Sequence, residues 1–308
     1  MKEYQLIIEE KQQGERIDKC IADVFVDLSR SYVQRLISEN RVLLNGRTCK
    51  AGTRVSNGDE VFFETPEAVL PDILPENIPL DILYEDQDLL VVNKPKGMVV
   101  HPAPGHYSGT MVNALLYYLG SELSGINGVM RPGIVHRIDM DTTGSVLICK
   151  NDKAHAAIAE QLKEHSINRR YLALVHGVID TDTGKIDAPI GRHQSDRKKM
   201  AVNYKNGRDA VTNYTVLERL NGYTLVECRL ETGRTHQIRV HMAYIHHPLV
   251  GDSVYCSLKP PMKLQGQTLH AKTLGFIQPS TKEYIEVDAP VPDYLIHLLK
   301  LLNSQWTE

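Results

Sequence analysis

The sequence predicts an α+β protein: a small α/β unit, then a larger domain whose mixed, largely antiparallel sheet is flanked by helices and loops. Three observations carry that prediction. Residues 59–88 hold ten acids and no Lys or Arg, with Pro66, Pro71, Pro75 and Pro79 four or five residues apart. Proline fixes φ and removes a donor, so this stretch reads as an extended linker leading into a second domain. Apolar runs face each other across Asn45-Gly46 and Asn221-Gly222, dipeptides that readily take the positive φ of tight hairpins. Helical periodicity is confined to a few stretches and does not alternate strand by strand, as a wound parallel sheet would require. The expected divisions are a domain of residues 1–67, a linker of 68–79 and a domain of 80–308.

In the small unit, Ile17, Cys20, Ile21, Val24 and Phe25 recur at helical spacing, with Asp18, Lys19 and Asp23 expected outside. A second helix turns Val33, Leu36 and Ile37 inward; Ser29 or Ser31 can cap its start, and Asn40 fits its end. Val42-Leu43-Leu44 and Thr48-Cys49 then pair around Asn45-Gly46, and Gly58-Asp59 turns into a strand from Glu60 to Phe63. In the larger domain Ile82-Leu83-Tyr84 and Leu89 to Val92 flank the polar turn 85–88. Met111 to Leu119 has a helical repeat of apolar residues. Val146 to Cys149 reads as a short buried strand, Asp152 as the cap of a helix through Leu162, and Tyr171 to Val175 as another strand. Val211 to Leu217 and Tyr223 to Leu230 make the second hairpin.

Composition narrows the function. An apolar share of 42% is ordinary for a globular chain. Charges or prolines break every apolar run well short of a membrane span, and the first residues lack a secretory core, so a cytoplasmic protein with no membrane partner is expected. Cys20, Cys49, Cys149, Cys228 and Cys256 are scattered without Cys-x-x-Cys spacing, which argues for reduced residues. His241, His246 and His247 with Asp252, and His101 with His106, fit no familiar zinc pattern, so no metal is expected. No Walker-type loop and no Gly-x-Gly-x-x-Gly after a strand is present, which excludes the common nucleotide-cofactor classes. A net charge of -3 disfavours a polyanionic partner, yet the distribution is uneven. Between Leu28 and Asn57, Arg30, Arg35, Arg41, Arg47, Lys50 and Arg54 face the single acid Glu39. Arg192, Arg197, Lys198, Lys199, Lys205 and Arg208 face only Asp196. Each cluster is either a solvated face or the footprint of a nucleic acid.

Four segments carry chemistry: Asn93-Lys94-Pro95-Lys96-Gly97, His136-Arg137-Ile138-Asp139 with Thr142-Thr143-Gly144, Arg169-Arg170-Tyr171, and Gly233-Arg234-Thr235-His236-Gln237-Ile238-Arg239-Val240-His241. Singly, each has a plain reading: Asp139 as a structural bridge, Tyr171 as a core aromatic, Arg234 as a loop residue. Together they resemble the RluA family of RNA pseudouridine synthases, most closely its RluD-like, large-ribosomal-subunit members, from about Asp81 to Leu299. Ile138 stands where leucine is usual, Thr143 where serine is frequent and Arg169 where lysine is common; no reactive group is lost. The small unit resembles an RNA-binding domain named after a small-subunit ribosomal protein. Arg16-Ile17-Asp18, Ser29-Arg30-Ser31, Arg41-Val42, Asn45-Gly46 and Gly58-Asp59 carry that likeness.

The resemblance implies isomerisation of uridine to pseudouridine in structured RNA, large-subunit ribosomal RNA first, by a monomer with no cofactor. It implies Asp139 as nucleophile, Tyr171 packed against the target base and Arg234 paired with the Asp139 carboxylate. It further implies substrate contacts from His136, Arg137, Thr142, Asn93, Lys94 and Gln237, and from Arg30, Arg35, Arg41, Arg47 and Lys50. The residue types suit the reaction. Breaking a glycosidic bond to uracil leaves positive character on the sugar and an anion on the base, so a carboxylate is a natural nucleophile. An arginine would keep it ionised and an aromatic face would hold the detached base. A glycosidase would need a second carboxylate, for which only Asp141 offers itself, two residues away. A transfer RNA substrate and a non-catalytic RNA-binding or ribosome-assembly role are the other readings.

Overall fold

Two units, Met1–Pro71 and Asp72–Glu308, separate in the computed structural model. It describes every residue except 1, 26–27, 29, 66–72, 104, 121, 126–131, 197–198 and 308. The first part of the expected linker, 68–72, lies outside the described residues, as does the candidate cap Ser29; residues 73–79 form no regular structure.

The small unit runs β1 (Lys2–Ile7), a 3-10 turn (Glu10–Gln12), α1 (Ile17–Val24), α2 (Arg30–Ser38), β2 (Val42–Leu44), β3 (Arg47–Thr48) and β4 (Glu60–Thr65). Its antiparallel sheet has the order β1-β4-β2-β3. Both helices bury their apolar stripes, Ile17 and Ile21, then Val33 and Leu36, against Phe63 and Val61. Each such side chain contributes roughly 1.5–3 kcal/mol by leaving water. Asn45 at φ 51° and Gly46 at φ 73° close the β2–β3 hairpin. Asp18 corrects the sequence expectation. It is fully buried, not on the outer face of α1, because Arg16, Arg30 and Gln34 converge on its carboxylate.

The larger unit runs β5 (Ile82–Glu85), β6 (Leu89–Lys94), α3 (Met111–Leu119), β7 (Thr143–Cys149), α4 (Asp152–Lys163) and β8 (Asn168–His176). It continues through β9 (Thr183–Asp187), β10 (Ile190–Arg192), β11 (Met200–Val202), β12 (Val211–Leu220) and β13 (Tyr223–Leu230). It ends with α5 (Gln237–Tyr244), β14 (Leu269–Ile277), β15 (Tyr284–Asp288) and α6 (Asp293–Leu301). Nine strands form one sheet, β5-β6-β7-β14-β8-β13-β12-β9, with β15 on the free part of β14. The sheet is mixed: β7 and β14 pair in parallel, and the other pairs are antiparallel. The helix after β7 is capped by Asn151, whose side chain accepts from the Ala154 N–H at 2.9 Å. Asp152, expected as the cap, instead accepts from the Ser124 hydroxyl and the Gly125 N–H.

Side chains alternate across this sheet with period two. Leu90 and Val92 of β6, Val146 and Ile148 of β7, and Tyr171, Ala173 and Val175 of β8 share one face with α3 and α5. Leu89, Val91, Leu147 and Cys149 face the other side, toward α4, and Leu172 and Leu174 face α6. That alternation places Tyr171 on the face where the functional segments meet.

Candidate active site

Asp139 lies on the loop leading into β7, and that loop is pinned at several points. The Leu147 N–H donates to His136 Nε2 at 2.9 Å. Burial, then the nearby Arg169 charge, pushes His136 down to about 3, so the ring is neutral and Nε2 can accept. Lys94, at the end of β6, is wholly buried. Its Nζ donates to the carbonyls of Pro95, Met98 and Met140, each at 2.8 Å, which uses all three donors of an ammonium. Gln267 Nε2 donates to Thr142 Oγ1 at 3.1 Å.

The second wall is the loop 231–236 and α5. Gln237 ties it to β12: its Oε1 accepts from Thr232 Oγ1 and the Arg234 N–H, and its Nε2 donates to Val211 O and Thr212 Oγ1. Two residues along, Arg239 reaches back to the loop of Asp139. Its Nη1 donates to Asp139 Oδ2 at 3.0 Å, while Nε and Nη2 donate to Asp252 at 2.7 and 2.9 Å. Burial would lower the Arg239 guanidinium, but Asp252 and then Asp139 outweigh it and hold it above the ordinary arginine value. Asp252 is itself fixed by the N–H groups of Val254 and Tyr255. His236, at a left-handed φ of 57°, sits with Nε2 3.8 Å from Asp139 Oδ1 and Nδ1 2.8 Å from the Tyr255 hydroxyl. Burial lowers His236, against the pull of Asp139.

Between these walls is a cavity of about 170 Å³ bordered by Asp139, Arg169, Tyr171, Arg234, His236 and Arg239. A cavity of roughly 150 Å³ takes a benzene-sized ring, so one planar base fits. Tyr171 is 7% exposed, and burial raises its hydroxyl above the ordinary tyrosine value, keeping it protonated.

Several expectations change. Arg234 does not pair with Asp139: its Nε donates to the Asp209 carbonyl at 2.9 Å, because it precedes α5, whereas Arg239 lies on the buried face of that helix. Lys94, expected to touch substrate, spends all three donors on the loops, whereas His136 and Gln237 border the cavity while His136 Nε2 and the Gln237 amide also hold the loops. Thr142 also borders the cavity, buried and accepting from Gln267. Asn93 donates to Asp81 Oδ2 at 2.8 Å and does not border the cavity. Arg137 is exposed and borders cavities on both sides of Asp139. Arg239, Asp252, His236 and Tyr255 were missed as site residues. Arg239 stood in the quoted motif, but nothing in spacing links it to Asp252.

In the small unit Arg30 is bound to Asp18 at 3.0 Å. Arg35 and Arg41 approach Glu39 at 3.8 and 3.3 Å. Arg47 and Lys50 are exposed and form no ion pair among the described residues. In the second basic stretch Arg197 and Lys198 lie outside the described residues. His241 is occupied by Thr212 and the Ala188 carbonyl. Among the described residues no group of three or more His, Cys, Asp or Glu is placed to hold a metal, and no helix is long and apolar enough to cross a membrane.

Residues 88–244 match the family described as RNA pseudouridylate synthase, and residues 15–61 match the S4 domain. The chain is 51% identical over 304 residues to the uncharacterized RNA pseudouridine synthase YlyB of Bacillus subtilis (strain 168), covering 99% of each. It is 44% identical over 308 residues to the ribosomal large subunit pseudouridine synthase D of Zymomonas mobilis subsp. mobilis, covering 97% of each. Among solved structures, human RNA pseudouridylate synthase domain containing 1 superimposes with a TM-score of 0.58 at 26% identity. That match spans 75% of this chain and 97% of the human one.

Proposed function

The chain belongs to the RNA pseudouridylate synthase family and is an RNA pseudouridine synthase with an S4 domain, and from that premise we propose that Asp139 is its nucleophile and large-subunit ribosomal RNA its substrate. One observation carries the residue assignment: the Asp139 carboxylate, fixed by Arg239, borders a base-sized cavity together with Tyr171. A uridine flipped from a loop or disrupted stem enters that cavity, since a stacked base offers no access to its glycosidic bond. Asp139 meets the positive character at the sugar, and the Tyr171 ring supports the base while it turns to present C5. Arg239 fixes the direction of the carboxylate, and Asp252 fixes Arg239. Arg137 contacts the RNA beside the flipped nucleotide. The ribosomal assignment is supported by relatives whose names specify the large subunit, at 40–44% identity over nearly the whole chain. The enzyme acts as a cytoplasmic monomer.

Mapping pseudouridines in large-subunit and transfer RNA from cells with and without this protein tests the substrate. Loss of specific sites in large-subunit RNA is the expected result; loss confined to transfer RNA would overturn the assignment.

A further inference from the structure

We propose that Arg169 is a further catalytic residue: its guanidinium donates to a carbonyl oxygen of the target uracil and stabilises the negative charge the base carries once detached. This rests on the reading of Asp139 and Tyr171 given above. Arg169 and Tyr171 are two residues apart on β8 and so share a sheet face, and both border the cavity beside Asp139. Arg169 is only 7% exposed. Among the described residues its guanidinium makes no hydrogen bond and no ion pair, and its Nε is buried without a partner. Its neighbour Arg170, on the opposite face, pairs with Glu286 at 2.6 Å. Arg169 fits where it does because residue 233 is glycine; a Cβ there would lie 2.7 Å from Nη1.

A buried cation with no counter-charge is costly. Burial accordingly pulls the Arg169 guanidinium below the ordinary arginine value, yet arginine stays charged. The Asp139 carboxylate is held by a different arginine, so the free donors of Arg169 face the cavity. The complement is an acceptor that gains negative charge there. When the C1′–N1 bond breaks, its electron pair goes to the base and spreads over N1, O2 and O4, where Arg169 donates. After rotation C5 bonds to C1′, the C5 proton leaves and N1 takes up a proton, so composition is unchanged. The base and not a phosphate is the partner because the base is the free end of a flipped nucleotide. Its phosphates stay joined to the strand at the cavity mouth.

The test is single-turnover conversion of a large-subunit RNA transcript at saturating protein, with RNA affinity across a salt series and thermal melting, for wild type, Arg169→Met and Arg169→Lys. Losing one donor to a developing anion lowers such rates roughly 100- to 1,000-fold. The expected result for Arg169→Met is a rate loss of that size, unchanged affinity and salt slope, and a melting temperature no lower than wild type. Arg169→Lys should recover part of the rate. An unchanged Arg169→Met rate, a loss seen as weaker binding with a shallower salt slope, or a destabilised Arg169→Met protein would overturn the proposal. Wild-type protein that converts no uridine in this RNA would instead remove the substrate reading on which it rests.

Discussion

Arg239 stands between two carboxylates with different degrees of exposure. Asp252 is wholly buried, and Asp139 keeps an edge toward the cavity. Arg239→Met therefore leaves Asp252 buried without its cation, and removing one partner of such a pair costs roughly 3–5 kcal/mol. Arg239→Met should unfold at markedly lower denaturant and lose activity, whereas Arg234→Ala should stay within about 0.5 kcal/mol of wild type. Equal stability losses in equilibrium unfolding would contradict this division of roles. Asp139→Asn keeps the shape of the side chain but not the charge, so single-turnover conversion should vanish while RNA affinity stays close to wild type. Retained conversion in purified Asp139→Asn protein would sink the nucleophile assignment.

Two elements depend on single residues that set their packing. Gly144 in β7, at φ 105°, lies so close to β14 that a Cβ would meet Ala271 O at 2.3 Å, at the parallel pairing of Ala271 with Gly144. Gly144→Ala should therefore destabilise the larger unit by more than the roughly 1–3 kcal/mol of a strained φ alone. A smaller shift in chemical denaturation would show that β14 can give way. In the small unit α1 is tied to α2 through Asp18. Burial alone would raise its carboxyl, but hydrogen bonds from Arg16, Gln34 and Arg30 hold it below the ordinary carboxylate range. With the folded value depressed, the contribution is complete above about pH 4 and fades as pH falls further. Amide protection factors in α1 and α2, exchange corrected for the intrinsic rate at each pH, should fall below that pH, and Asp18→Asn should abolish the dependence. The same loss of protection in the variant would assign the acid sensitivity elsewhere.

At the scale of the whole molecule the synthase family match lies in the larger unit, and Arg47 and Lys50, exposed and without an ion pair among the described residues, are the S4-unit bases proposed to anchor RNA electrostatically. Arg30, Arg35 and Arg41 already face acids, so the anchoring expected is smaller than the bare count of bases suggests. Deleting residues 1–67 should weaken binding to long structured RNA and make its salt dependence shallower, since fewer counterions are released. Near-saturating RNA should recover much of the rate. Identical salt slopes would mark these bases as a solvated face; an unrecoverable rate in a folded truncation would mean that the unit orients the substrate.

The sequence by itself determined the local elements and the family to which the chain belongs. Helical repeats, hairpin dipeptides and buried strands depend on neighbours a few positions away, so Ile17 to Val24, Asn45-Gly46 and Leu89 to Val92 were legible. The motif around Asp139, read with Tyr171 and the arginine-rich segment, was legible as a set through its resemblance to a family. Long-range partners were not. β1 is fixed by pairing with β4 some sixty residues away, and β14 joins the two halves of the large sheet through strands about a hundred residues or more distant. Which arginine meets Asp139 depended on where α5 begins, and that was set by Gln237 bonding to β12. The burial of Asp18, the use of Lys94 as a loop clasp and the lack of a partner for Arg169 among the described residues likewise came only from tertiary structure. Burial and hydrogen-bond satisfaction are properties of what surrounds a residue, and its surroundings are assembled from distant parts of the chain.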